Sequence, residues 1–174
     1  MKFLKLFLFT ALIVSITACS SDDDGPVSVE LTNANLAGTY NITFLEGSSQ
    51  SSVVTESGNT VVTETETNSG DTFTNAIIVF SAAGTYTVSG NYRETRTVTV
   101  TGQSPQTEQE IVTLDESSTY STNNTNRTIT FDDDTVNDVT LFDGTNLHFS
   151  ESYTDSFESS TAVGEIRVRL VKQN

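Results

Sequence analysis

The chain predicts an all-β protein of eight to ten antiparallel strands with short connections, in one domain. Three observations carry this. Thr is the commonest residue, with Ser, Val, Tyr and Phe beside it, and β-branched and aromatic side chains suit a pleated, half-buried surface. Apolar residues recur at every second position through much of residues 39–171, the period of a strand with one buried face. No long stretch carries them at helical spacing, and the two prolines, Pro26 and Pro105, stand in loops. Consecutive hairpins suggest an antiparallel up-and-down β-barrel, which leaves no sheet edge exposed. A β-sandwich with Greek-key links satisfies the same strand count.

Residues 1–18 read as a signal peptide. Lys2 and Lys5 give a positive start, residues 6–16 are apolar but for Thr10 and Ser15, and Ala18 is the small residue a peptidase needs. The run is shorter than the roughly 20 apolar residues of a spanning helix. Ile16-Thr17-Ala18-Cys19 resembles the lipobox of bacterial lipoproteins, in which the cysteine is lipidated and becomes the first residue. Several acyl chains hold a protein at a membrane where one binds weakly. Cys19 is the only cysteine, so no disulfide stabilises the domain. Ser20-Ser21-Asp22-Asp23-Asp24-Gly25 resembles the sorting and surface-export segment of Bacteroidota lipoproteins, and by composition alone is a solvated spacer. Residues 19–35 are thus expected to form a lipidated cysteine with an acidic flexible tether, and residues 36–174 the barrel domain.

In the domain, Tyr40, Ile42 and Phe44 alternate with Thr39, Asn41 and Thr43 in a first strand. Residues 47–52 read as a turn. Residues 53–67 give one long or two short strands, broken near Ser57-Gly58-Asn59. Residues 72–80 follow, and their run Ile77-Ile78-Val79-Phe80 suggests burial on both faces or a strand end folded under. Ser81-Ala82-Ala83-Gly84 turns the chain. Residues 85–101 set Tyr86, Val88, Gly90, Tyr92, Val98 and Val100 on one face. So long a stretch either bends or turns at Gly90-Asn91. A loop at 102–106 leads to a strand at 109–120, a turn at 123–126, a short strand at 128–131, a turn at Asp132-Asp133-Asp134 and a strand at 135–142. Asp143-Gly144 invites a two-residue type I′ turn, which sets Leu147 opposite Thr140 and His148 opposite Val139. A three-residue loop, 142–144, with Gly144 left-handed pairs Val139 with Leu147 instead, and burial specifies register, so the longer loop is expected. Leu147, Phe149, Tyr153 and Phe157 alternate in the next strand. The last, 163–171, turns Ile166, Val168 and Leu170 inward.

Two stretches of the domain resemble lipocalin-like domain lipoproteins of the Bacteroidota type. Leu36-Ala37-Gly38-Thr39-Tyr40 resembles the Leu-x-Gly-x-Trp opening of their first strand, with Tyr40 in place of Trp. Phe80-x-x-x-Gly84-x-Tyr86 resembles their second hairpin. The resemblance runs in strand order over residues 36–172. It implies a lipocalin-like barrel, a mouth that takes a small, mostly apolar ligand, and a basic residue of the last strand packed over the Tyr40 ring. Arg167 and Arg169 are the candidates for that residue.

Charge excludes some partners. The chain has 8 basic and 23 acidic residues, and removing Lys2 and Lys5 with the signal leaves a net charge of −17. Nucleic acid and anionic membrane are repelled, so membrane attachment falls to the lipid on Cys19. No catalytic set can be drawn. His148, the only histidine, has the outward parity, and any Ser-His-Asp or Cys-His arrangement must use it. Paired carboxylates carry little information in so acidic a chain. The expectation is a non-enzyme without cofactor. Asp132-Asp133-Asp134 with Asn137 and Asp138 offers oxygens to calcium but lacks the EF-hand pattern, and the expected state is a solvated hairpin tip without metal. Asn41, Asn123 and Asn126 begin N-glycosylation patterns, and Asp134-Thr135-Val136 resembles a short O-glycosylation motif.

The apolar parity of two strands supplies candidate ligand-binding residues: Tyr86, Tyr92 and Arg96 on one, Phe149, Glu151 and Tyr153 on the other. An interior Arg96 needs Glu94, Glu151 or an anionic ligand group as partner; beyond the rim, such pairs contribute little. In a pocket, Tyr92, Arg96 and Tyr153 converge on one concavity. Two functions stand. One is an outer-membrane or surface lipoprotein whose barrel binds a small apolar ligand, which the lean core favours. The other is a non-enzymatic structural or interaction subunit of an envelope assembly with a filled barrel.

Overall fold

The computed structural model describes residues 29–55, 57–132, 134–157 and 160–173. The expected signal peptide, Cys19, the acidic run 22–24 and Asp133 lie outside them. A four-residue helix, α1 (Asn33–Leu36), precedes β1 (Gly38–Val54), β2 (Thr60–Phe80), β3 (Thr85–Val100), β4 (Gln106–Asn123), β5 (Thr128–Phe131), β6 (Val136–Phe142), β7 (Asn146–Phe157) and β8 (Ser160–Lys172). Each strand pairs antiparallel with the next, and β8 pairs with β1 to close the ring. The architecture is the all-β, up-and-down barrel expected, with eight strands, and not the sandwich.

One end of the barrel is closed. Tyr40, Phe80, Ile129, Leu147 and Leu170 point inward there, each almost fully buried. Phe80 packs edge-on against Tyr120 at 5.0 Å and Tyr40 at 5.8 Å between ring centroids, a favoured aromatic arrangement. Tyr120 donates from its hydroxyl to the Ser81 carbonyl at 2.8 Å, and Tyr40 to the Leu36 carbonyl at 2.9 Å. Burial pushes both phenols up to about 12, with Tyr120 adding to the shift at Tyr40. The cation over the Tyr40 ring is Lys172, at 5.5 Å, and not Arg167 or Arg169. Lys172 is the cross-strand partner of Tyr40. Arg169 lies over Phe44 at 4.3 Å instead, and Arg167 pairs with Glu165 at 2.6 Å.

The plug of this end begins before residue 36. Leu31 is 1% exposed and Leu36 is wholly buried. Leu31 N–H donates to Asn124 Oδ1 at 2.7 Å, Arg127 donates to the Val29 carbonyl at 3.1 Å, and Thr32 caps α1 through Asn35 N–H. Residues 29–35, expected in the tether, are part of the fold because Leu31 is a core residue that a polar surrounding obscures.

Two local expectations change, and one open alternative is decided. Residues 47–52 are not a turn: β1 continues through them, paired with β2 on one side and β8 on the other. The chain reverses after Val54, where Thr55 N–H donates to the Asn59 carbonyl at 2.9 Å. β3 is continuous through Gly90-Asn91. Finally, the β6–β7 connection pairs Phe142 with Leu147 and Val139 with Phe149, around an irregularity between Val139 and Leu141. The loop is longer than two residues, as expected, but the predicted pair of Val139 with Leu147 is not formed. Asp143 Oδ1 accepts from the N–H groups of Thr145 (2.8 Å) and Asn146 (2.6 Å), which sets the longer loop, and Gly144 supplies its φ of +90°.

Candidate functional site

Strand length decides where the barrel opens. β5 has 4 residues and β6 has 7, between β4 with 18 and β7 with 12. The wall is therefore low at the β5–β6 connection and tall elsewhere. Behind this lip lies a cavity of about 280 Å³, close to the lower limit of about 300 Å³ usual for small-molecule pockets. Its deep surface is apolar: Ile42, Ile78 and Leu170 from below, Val88, Leu114 and Val168 from the walls. Its polar lining is acidic, from Glu116, Glu151 and Asp132. Asn137, buried on β6, and Thr135 complete it.

An aromatic series frames the lip. Phe131 stands edge-on to Tyr86 at 5.0 Å and tilted to Phe149 at 6.2 Å. The Tyr86 hydroxyl donates to Glu116 Oε1 at 2.5 Å, which fixes one carboxylate at the mouth. Ser118 donates from its hydroxyl to Asp132 Oδ2, tying β4 to the lip. The arrangement can hold an apolar body in the barrel and a polar or cationic end at the lip. Among the described residues no group of three or more His, Cys, Asp and Glu is placed to hold a metal ion.

Of the six ligand-binding candidates, Tyr86, Phe149 and Glu151 meet at this cavity. Tyr92, Arg96 and Tyr153 do not join them, so the expected convergence of those three is not formed. Tyr92 is buried against Phe73, stacked at 5.9 Å, and its phenol is pushed up to about 12 by burial, then by Glu94. Arg96 is exposed and grips Glu66 with two bonds, of 2.9 and 2.6 Å. Neither Glu94 nor Glu151 is its partner, because Glu66 reaches it from β2, two residues along from its cross-strand neighbour Asn68. That bond holds the Glu66 carboxyl below its usual range. Tyr153 is 37% exposed and lies across Gly164, its cross-strand partner, where a Cβ would overlap its ring.

Sequence reasoning missed Ile42, Leu45, Ile78, Leu114, Glu116 and Asp132 as lining residues. Parity on β4 could have found Leu114 and Glu116, which share a face with Tyr120. His148 has the outward parity expected, opposite Arg169. Burial, then Arg169, holds its imidazole below its ordinary value. No protein-family model, curated protein or solved structure matches the chain.

Proposed function

We propose that this chain is a lipid-anchored protein of the outer membrane or cell surface whose lipocalin-like barrel binds a small, mostly apolar ligand and performs no catalysis. The observation that carries the reading is the cavity: one open end, an apolar interior, and carboxylates confined to the lip. A site of this kind suits recognition by burial with a few placed polar groups. Anchoring rests on the lipobox resemblance at Cys19. Val29 enters at the closed end, so the end nearer the anchor in sequence is the one without the mouth.

The test is titration of the protein with the neutral probe N-phenyl-1-naphthylamine, read by fluorescence and by native mass spectrometry. One probe per chain is expected, with affinity lost in Val88→Phe and Leu114→Phe, which fill the cavity. No binding to the unsubstituted protein, or unaltered binding in these variants, overturns the reading. The alternative, a filled barrel acting as an envelope interaction subunit, draws on the closed half, where Tyr40, Phe80 and Tyr120 occupy the interior; failure to bind any apolar probe favours it. Anchoring is tested separately. Cys19→Ala should move the protein out of the membrane fraction, and retention there refutes lipidation.

A further inference from the structure

Among the described residues, the low lip leaves two strands with a neighbour on one side only: β7 beyond Ser150 and, over a longer stretch, β4. β4 pairs with β3 from Gln106 to Thr119 but meets β5 only over residues 120–123. Among the described residues, 106–119 therefore have a strand partner on one side only. At about 3.3 Å per residue this is an edge about 45 Å long, and its N–H and C=O groups are a template for another strand.

Charge selects what the edge accepts. Leu114 and Glu116 face the cavity, so alternation puts Glu110 and Glu108 on the same concave face. The convex face of this stretch carries Thr107, Gln109, Ile111, Thr113 and one acid, Asp115. Residues 106–111 are exposed throughout. A second copy laid on this edge would bring carboxylates against carboxylates, in a chain of net charge −15, and like charges in cross-strand positions repel. Arg96, across from Glu108 on β3, is committed to Glu66. The acids that keep copies apart thus favour a basic strand.

We propose that the edge of β4, residues 106–119, docks an extended segment of a basic partner polypeptide as an added strand. Lys or Arg at every second position stands opposite Glu108, Glu110 and Glu116, with the aliphatic stems of those in between over Val112 and Leu114, and Thr or Val alternates with them on the convex face. The backbone ladder supplies affinity and the alternation supplies specificity.

The experiment titrates the protein with a twelve-residue peptide alternating Lys and Thr, by calorimetry at low salt, and maps amide hydrogen exchange. Comparison peptides carry N-methyl groups on alternate amides, Glu in place of Lys, or the same lysines in one block. The alternating peptide should bind one per chain, at least ten-fold tighter than any comparison peptide, with new protection confined to residues 106–119. Glu108→Gln with Glu110→Gln should weaken it several-fold while circular dichroism is unchanged. Equal binding of the N-methylated or block peptide overturns the proposal, since attraction then needs no added strand. Protection elsewhere, or dimerisation of the protein through β4, overturns it too.

Discussion

Gly90 lies in the middle of β3 with a φ of +110°, beside the most irregular part of β2. There the register shifts twice between Asp71 and Ile77, and Thr72 and Asn75 have positive φ. The irregularity brings β2 onto Gly90: a Cβ at this position would overlap the Asn75 carbonyl and stand 2.6 Å from the Ala76 Cα. Gly90→Ala therefore carries two costs. The backbone conformation costs an L-residue about 1–2 kcal/mol. The overlap is with main chain, which no rotamer relieves, so β2 must shift next to buried Ala76 and Ile78; overpacking of this kind costs about 1–3 kcal/mol more. The sum, about 2–5 kcal/mol, is a large part of the roughly 5–15 kcal/mol that holds a domain folded. Gly102→Ala isolates the first cost, since its φ is +83° and nothing lies within 4 Å of its Cβ position; about 1–2 kcal/mol is expected. Urea unfolding of both variants measures the difference. Equal losses would refute the close approach of β2 to Gly90, and a neutral Gly90→Ala would refute the backbone conformation itself.

A chain that begins at Leu36 loses the Leu31 plug. By analogy with large-to-small core changes it should be about 2–5 kcal/mol less stable than one beginning at residue 27, and equal urea midpoints would place Leu31 outside the core. The imidazole of His148 is held below its ordinary value of about 6.5, so the unfolded chain takes its proton more readily. The stability tied to neutral His148 is full above about pH 6.5 and falls as pH drops from there toward the folded value. NMR titration of this sole histidine checks it, and a midpoint at or above 6.5 contradicts the burial argument. Arg96→Ala breaks an ion pair that is half exposed; it should cost at most about 1 kcal/mol and leave probe affinity at the cavity unchanged, whereas a clear loss of affinity would return Arg96 to the site.

Burial made much of the fold legible. The period of two marks strands wherever one face meets the core, and β5 was readable to the residue. Residues 47–52 were not, because Gly47-Ser48-Ser49-Gln50-Ser51-Ser52 has no apolar face; its strand is held by backbone bonds to β2 and β8, which composition does not report. The β6–β7 register depended on the Asp143 side chain and on an irregularity near Leu141, both local and neither periodic. At the site, parity chose the right face but carries no height. Tyr86 and Phe149 lie level with the lip, while Tyr92, Arg96 and Tyr153 share their parity further along the same strands.

Height is set by one feature, the brevity of β5. Four residues rise about 13 Å, whereas the 18 of β4 rise about 60 Å. Matched strands would have carried the ring upward and enclosed the cavity. Instead the barrel stops at Phe131, and β4 stands on beyond it. The mouth and the open edge are thus one structural event. They also touch: the bond from Ser118 to Asp132 ties the foot of the edge to the lip, and Glu116 belongs to both the edge and the cavity lining. A strand docked along β4 reaches the mouth at its lower end, so a peptide long enough to cover Glu116 should compete with an apolar probe, and one ending at Glu110 should not. Competition by both peptides alike would place them in the cavity and not on the edge.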